Sequence, residues 1–253
     1  MTWLEMLGVF AAGAGAGTIN TVVGSGTLIT FPTLLAVGVP PVVANVSNTV
    51  GLVPGSVSGV IGYRRELAGQ RRRLLRLGGA SVLGGITGAV LLLVLPDEVF
   101  DAIVPVLIGT GCLLILLPPR ISRWLVRSAE ARGGVPEHGA AWVWVMVFVT
   151  GIYGGYFGAA QGVLLMAILG IGLHETLQRL NATKNVLAGI VNMVAALVFI
   201  AVADVDWRVA GLIAVGAVIG AQFGAAFGRR LPPLALRTII VLVGVAAMIE
   251  FYA

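Results

Sequence analysis

MLGVFAAGAGAGTINTVVGSGTLITFPTLLAVGVPPVVANVSNTVGLVPGSVSGVIGY, the stretch from Met6 to Tyr63, holds no Asp, Glu, Lys or Arg. A helix needs about 20 apolar residues to cross a bilayer. This uncharged run of 58 residues is therefore too long for two ordinary spans. Its excess lies in Gly13-Ala-Gly-Ala-Gly17 and Gly24-Ser-Gly26, ending near Pro32. Glycine loses much conformational entropy in a helix and tends to interrupt it. Interrupted backbone at membrane depth survives only when buried in protein or lining a wet cavity. The length arithmetic predicts a broken-helix hairpin over 3–39.

A second run has the same anatomy. Gly139–Leu173 is 35 residues without charge, too long for one span, and contains Gly151-Ile-Tyr-Gly-Gly-Tyr-Phe-Gly158-Ala-Ala-Gln161-Gly162. It predicts a second broken hairpin over 141–173. The remaining runs are Leu77–Pro96, Ala102–Pro119, Asn185–Ala203, Val209–Gly228 and Leu231–Ile249, the last interrupted by Arg237. Each is about the length of one crossing. Gly84/Gly88 and Gly220/Gly224/Gly228 have the spacing that lets membrane helices pack closely. The expected fold is an all-α polytopic membrane protein.

Composition agrees. Hydrophobic residues make up 58% of the 253 and charged ones 11%, against roughly 25% charged in a soluble domain. Mean hydropathy is +1.01. A soluble enzyme could not cover its surface with so few polar groups, and a disordered chain needs the opposite composition. A membrane β-barrel would alternate in short segments. The net charge of +5 does not point to nucleic acid, because the arginines lie between apolar runs, as cytoplasmic loops demand. Cys112 is the single cysteine, so neither a disulfide nor a cysteine metal site is expected. No residue set supports a cofactor. No catalytic motif stands out, and the acids Glu5, Glu175 and Glu250 fall near ends or in a loop. His138 and His174 read as loop residues, and the tryptophans, near span ends, as interface anchors.

The halves repeat weakly. Gly84/Gly88 match Gly220/Gly224, and Leu95-Pro96 matches Leu231-Pro232, at an offset of 136; Ser47-Asn48 aligns with Lys184-Asn185 at 137 and Gly109 with Gly244 at 135. This divides the chain into a first repeat 1–118, a basic linker 119–139 and a second repeat 140–253. Charge inverts between them. The loop after Tyr63 carries six arginines, whereas its counterpart carries Asp204, Asp206 and Arg208. Inverted repeats each need an odd number of crossings, which a hairpin plus three helices provides. With both termini outside, 15 of the 16 basic residues fall in the cytoplasm; a plain eight-span arrangement leaves 11 there. The positive-inside rule favours the inverted topology.

Polar residues at membrane depth are functional candidates. They gather beside the glycine clusters. The first half offers Asn20, Ser25, Gly26, Thr27, Asn45, Asn48 and Thr49; the second offers Gln161, Gly162, Asn181, Lys184 and Asn185. Lys184, the only lysine, is expected to open a span and could equally snorkel to the interface. Asn45, Ser47 and Asn181 could equally be helix caps. Together the residues predict an anion site: amides, hydroxyls and one cation beside helix N-termini, whose free N–H groups attract negative charge. The expected partners are a small anion and the lipid bilayer, with no nucleic acid; a homodimer fits the same reading. An anion channel and a non-transporting scaffold are the competing classes.

Several motifs carry a family resemblance. Val23-Gly-Ser-Gly-Thr-Leu-Ile-Thr-Phe-Pro32, Gly38-Val-Pro-Pro41, Ala44-Asn-Val-Ser-Asn-Thr49 and Pro54-Gly55 leading to Gly62-Tyr-Arg-Arg-Glu-Leu67 resemble the sulfite exporter TauE/SafE family of membrane permeases. Gly151–Gly158 and Asn181-Ala-Thr-Lys-Asn185 resemble its second, repeated pattern. Gly24-Ser-Gly26 and Ala159-Ala-Gln161 are less glycine-rich than in many members, a departure that bears on the pocket's shape. The resemblance covers essentially the whole chain. It implies secondary transport, chiefly export, of sulfite, sulfoacetate or a related sulfonate across a bacterial cytoplasmic (inner) membrane. Permeation of a different small anion is the alternative it leaves open.

Overall fold

The computed structural model describes residues 1–116, 141–227, 238 and 242. Among these, every regular element is a helix: α1 (Trp3–Val22), α2 (Thr27–Ala36), α3 (Pro41–Gly62), α4 (Arg71–Val94), α5 (Asp97–Leu116), α6 (Ala141–Tyr156), α7 (Gln161–Gly172), α8 (Leu177–Val202) and α9 (Trp207–Phe227). The expected linker 119–139, Gly228 and nearly all of the last expected span lie outside the described residues. Three helices, α4, α8 and α9, are long and apolar enough to cross a membrane by length and composition. Their outward faces expose Val94, Leu197, Val202, Val215 and Ile219, as lipid contact requires.

Both long uncharged runs break where their glycines concentrate. α1 begins with a reciprocal cap in which Glu5 N–H donates to Thr2 Oγ1 and Thr2 N–H donates to Glu5 Oε2. It ends at Gly24, whose φ of 93° is left-handed. α6 ends at Gly158, φ 77°. The two terminations match bond for bond. Val23 and Gly24 N–H both donate to the Ile19 carbonyl, and Phe157 and Gly158 N–H both donate to the Tyr153 carbonyl. A side chain at either glycine would be strained in that backbone.

The small-residue spacings set the packing. A Cβ on Gly216, Gly220 or Gly224 of α9 would strike the backbone of α1 at Phe10, Ala14 and Thr18 respectively. Numbers rise together, so α1 and α9 run parallel. A Cβ on Gly84 or Gly88 of α4 would strike the α6 backbone at Phe148 and Ile152, again in parallel. α3 packs between α8 and α9, and α8 between α3 and α4.

This path gives the molecule two unlike ends. One gathers the α3–α4 loop, the start of α4 and the start of α8, with Arg64, Arg65, Arg71, Arg72, Arg73, Arg76 and Arg179. Arg179 Nη1 donates to the Ala68 carbonyl at 3.1 Å, and Arg73 pairs with Glu175 at 2.9 Å. The other end gathers the start of α3, the α4–α5 junction and the α8–α9 junction, with Asp97, Glu98, Asp204 and Asp206. Ser47 Oγ there accepts from the Asp206 N–H at 2.8 Å. The α1–α2 hairpin opens at the acidic end, where Phe31 of α2 meets Phe100 of α5 and Phe157 edge-on. The α6–α7 hairpin opens at the arginine-rich end, where Leu165, Ile168 and Leu169 of α7 pack with Leu77 and Leu180.

Candidate substrate site between the helix breaks

The two breaks touch. Gly162 N–H donates to the Gly24 carbonyl at 2.9 Å, and a Cβ on either residue would fall on the other's backbone. Beside this crossing lies a cavity of about 30 Å³, lined by Asn20, Thr21, Gly24, Thr27, Ser56, Gly59, Gly158, Gln161, Gly162, Asn185, Ala188 and Asn192. That is room for about two water molecules. The lining comes from both hairpins and from α3 and α8. The N-terminal ends of α2 (Thr27) and α7 (Gln161, Gly162) both reach it. The positive ends of two helix dipoles therefore lie at one cavity, an arrangement that favours negative charge.

Polar groups ring the cavity. Asn20 Oδ1 accepts from the Gly26 N–H at 2.6 Å, tying the two arms of the first hairpin. Asn192 Nδ2 donates to Ser56 Oγ at 3.3 Å across the α3–α8 contact. Gln161 is 4% exposed, and its Nε2 has no hydrogen-bond partner among the described residues. A buried amide without a partner costs about 1–3 kcal/mol, and this one lines the cavity.

Around the cavity stand two clamps on helix C-termini. The last carbonyls of a helix have no intrahelical donor and carry partial negative charge. The Thr21 carbonyl of α1 accepts from Asn181 Nδ2 (3.1 Å), Asn185 Nδ2 (3.2 Å) and Lys184 Nζ (3.4 Å), and Lys184 Nζ also donates to the Asn20 carbonyl at 2.9 Å. The Tyr156 carbonyl of α6 accepts from Asn45 Nδ2 at 2.8 Å. Asn48 faces α2 instead: its Oδ1 accepts from Thr30 Oγ1 and its Nδ2 donates to Thr27 Oγ1. Thr49 Oγ1 donates to its own helix at the Asn45 carbonyl.

The sequence-derived candidates therefore divide. Asn20, Thr27, Gln161, Gly162 and Asn185 line the cavity; Ser25, Gly26, Asn45, Asn48, Thr49, Asn181 and Lys184 are not in its lining. Ser25 is fully buried, and its hydroxyl has no partner among the described residues. Two expectations are corrected. Lys184 neither opens a span nor reaches the interface: it lies within α8, wholly buried, because the carbonyl end of α1 receives its ammonium. Asn45, Ser47 and Asn181 do not cap their own helices; Thr176 caps α8, and the two asparagines cap helices of the other half. Asn192, one of the polar residues the sequence places at membrane depth, also lines the cavity, and so does its partner Ser56, which was not among the candidates. Their separation of 136 residues, equal to the glycine offset, is the signal that could have paired them.

At the arginine-rich end, Glu175 receives Arg73 at 2.9 Å and Arg179 at 2.6 Å. Burial alone would raise its carboxyl, but hydrogen bonds and charge from Arg179 and Arg73 outweigh it and hold the carboxyl below its ordinary value. Among the described residues, no three of His, Cys, Asp or Glu come together as metal ligands.

Comparison with known proteins agrees with this architecture. A probable membrane transporter protein, ORF9, of a Sinorhizobium species is 28% identical, covering 97% of this chain and 91% of its own. The probable membrane transporter protein YfcA of Escherichia coli K12 is 28% identical over 87% of this chain and 80% of its own. A probable membrane transporter protein of Haemophilus influenzae is 26% identical over 88% and 85%. No solved structure gives a significant match. The sequence pattern described as Sulfite exporter TauE/SafE matches residues 9–251, nearly the whole chain, and the protein belongs to that family of membrane transporters.

Proposed function

We propose that this protein is a secondary carrier, chiefly an exporter, for a small sulfur-containing anion such as sulfite or an organosulfonate, in a bacterial cytoplasmic membrane. One observation carries the reading: two interrupted helices meet at one cavity, lined by Gln161, whose buried Nε2 has no partner among the described residues. Two short-helix N-termini at one cavity suit an anion. Asn20, Thr27, Ser56, Gln161, Asn185 and Asn192 would hold its oxygens. The clamps of Asn45, Asn181 and Lys184 would fix the broken helices around it. Room for about two water molecules is less than a sulfonate, with its sulfur and oxygens, needs. The hairpins must therefore shift to admit one, which favours a carrier over an open channel.

The topology is an inverted repeat with the arginine-rich end cytoplasmic and the N-terminus outside. The contact between Arg179 and Ala68 supports it, because a plain eight-span path would put these residues on opposite sides. Matched contacts support the repeat. Asn45 and Asn181 clamp the opposite half's broken helix; Ser47 with Asp206 corresponds to Thr183 with Gln70. Each correspondence falls at an offset of 136. This register places Lys184 opposite Asn48, one residue from the alignment expected above. Among the described residues the cavity lining holds no carboxylate, and an inside-negative potential would favour anion export by about 2.3 kcal/mol per charge per 100 mV.

Thermal stabilisation of the purified protein tests the binding step. Sulfite in mildly acidic buffer, methanesulfonate or taurine should raise the unfolding temperature and chloride should not, and the rise should vanish in Gln161→Met. Stabilisation by none of a panel that also includes thiosulfate and sulfate would refute the assignment.

A further inference from the structure

We propose that the cavity selects a monovalent oxyanion, a sulfonate or hydrogen sulfite, and rejects dianions such as sulfate; this deepens the anion-carrier reading and rests on it. The argument is a charge inventory. Among the described residues, none that lines the cavity is ionisable. The elements that supply the lining, or run directly into it, are α1, α2, α3, α6, α7 and α8. Their only charged side chains are Glu5, Arg179 and Lys184. Glu5 sits in the first turn of α1, and Arg179 in the first turn of α8, paired with Glu175. α6 carries two tyrosines, Tyr153 and Tyr156, and Tyr153 donates to the Ala159 carbonyl. His174 lies beyond α7, at the arginine-rich end.

Lys184 therefore offers at most one positive charge near the cavity. It acts through one layer of backbone, because its Nζ bonds the carbonyls of Asn20 and Thr21, both lining residues. The rest of the lining offers hydroxyls and amides. These satisfy the oxygens of an S–O group without cancelling its charge. A monoanion meets one lysine and two helix N-termini. A dianion leaves one charge unopposed in a buried site, where desolvation is costly.

Methanesulfonate and methylphosphonate make the test, since they share size and shape and differ in charge. In alkaline buffer the sulfonate carries one negative charge and the phosphonate two. Titrated by thermal stabilisation of the full chain in detergent, methanesulfonate should bind at least about tenfold more tightly than methylphosphonate. In mildly acidic buffer the phosphonate also carries one charge, and most of that gap should close. Gln161→Glu, which adds a carboxylate to the lining, should abolish methanesulfonate binding. Phosphonate binding as tight as sulfonate in alkaline buffer would overturn the charge selection while leaving an anion site standing. Binding of neither ligand in either buffer would overturn the anion site itself, and the selection with it.

Discussion

Gly162→Ala attacks the point where the two helix breaks meet. The added Cβ would lie 2.9 Å from the Gly24 carbonyl oxygen and 3.1 Å from its carbonyl carbon. Both are backbone atoms, so no flexible side chain can swing away. Overpacking of this kind costs about 1–3 kcal/mol. Separating the chains also lengthens the bond from Gly162 N–H to the Gly24 carbonyl, now 2.9 Å, and a buried peptide group left without its partner costs about 1–3 kcal/mol more. The expected loss is about 2–5 kcal/mol. Gly170→Ala in the same helix is the control: a Cβ there meets nothing within 4 Å, and alanine should stabilise the helix by up to about 1 kcal/mol. Thermal unfolding in detergent, with sulfonate uptake by proteoliposomes, would compare the two. Wild-type stability and uptake in Gly162→Ala would refute the reasoning, because the breaks could not then be in contact.

Further perturbations test the surroundings. Gly88→Ala and Gly220→Ala should each destabilise by about 1–3 kcal/mol, since each Cβ strikes the backbone of a parallel helix; an unchanged melting temperature would contradict that packing. Asn45→Ala should cost about 1–3 kcal/mol by orphaning the Tyr156 carbonyl, measured by the same unfolding assay, and a neutral effect would deny the clamp. The carboxyl of Glu175 is held below its ordinary 4.5 when folded. Its contribution to stability is therefore complete above that value and disappears as pH falls through the lower, folded one. Glu175→Gln should remove this part of the acid sensitivity, and an unaltered pH–stability curve would show that the arginine contacts do not stabilise the fold. A reporter fluorescent only in the cytoplasm, fused to the N-terminus, should stay dark; fluorescence would reverse the assigned orientation.

The helix breaks were legible because length is a hard constraint. Met6–Tyr63 and Gly139–Leu173 exceed what whole spans use, and the glycines show where the surplus goes. The packing glycines were legible for a related reason: Gly84/Gly88 and Gly220/Gly224 recur on one helix face. The clamps were not. Asn45 and Asn181 look like caps because capping is read from neighbours in sequence, yet each satisfies a carbonyl in the opposite half. Lys184 seemed to belong at a boundary because a lone lysine is expensive inside a membrane. Its partners are backbone carbonyls of α1, which sequence does not mark. Ser56 is a small hydroxyl in an apolar helix, and its partner Asn192 meets it only on folding.

Flux through reconstituted proteoliposomes tests the central claim, that an anion crosses at the meeting of the two breaks. With a membrane potential imposed, the protein should move labelled sulfite or methanesulfonate saturably and in the direction the field favours for an anion, and Gln161→Met should abolish most of that flux while retaining the wild-type fold. Flux no greater than in protein-free vesicles, or full flux in the folded variant, would contradict the account.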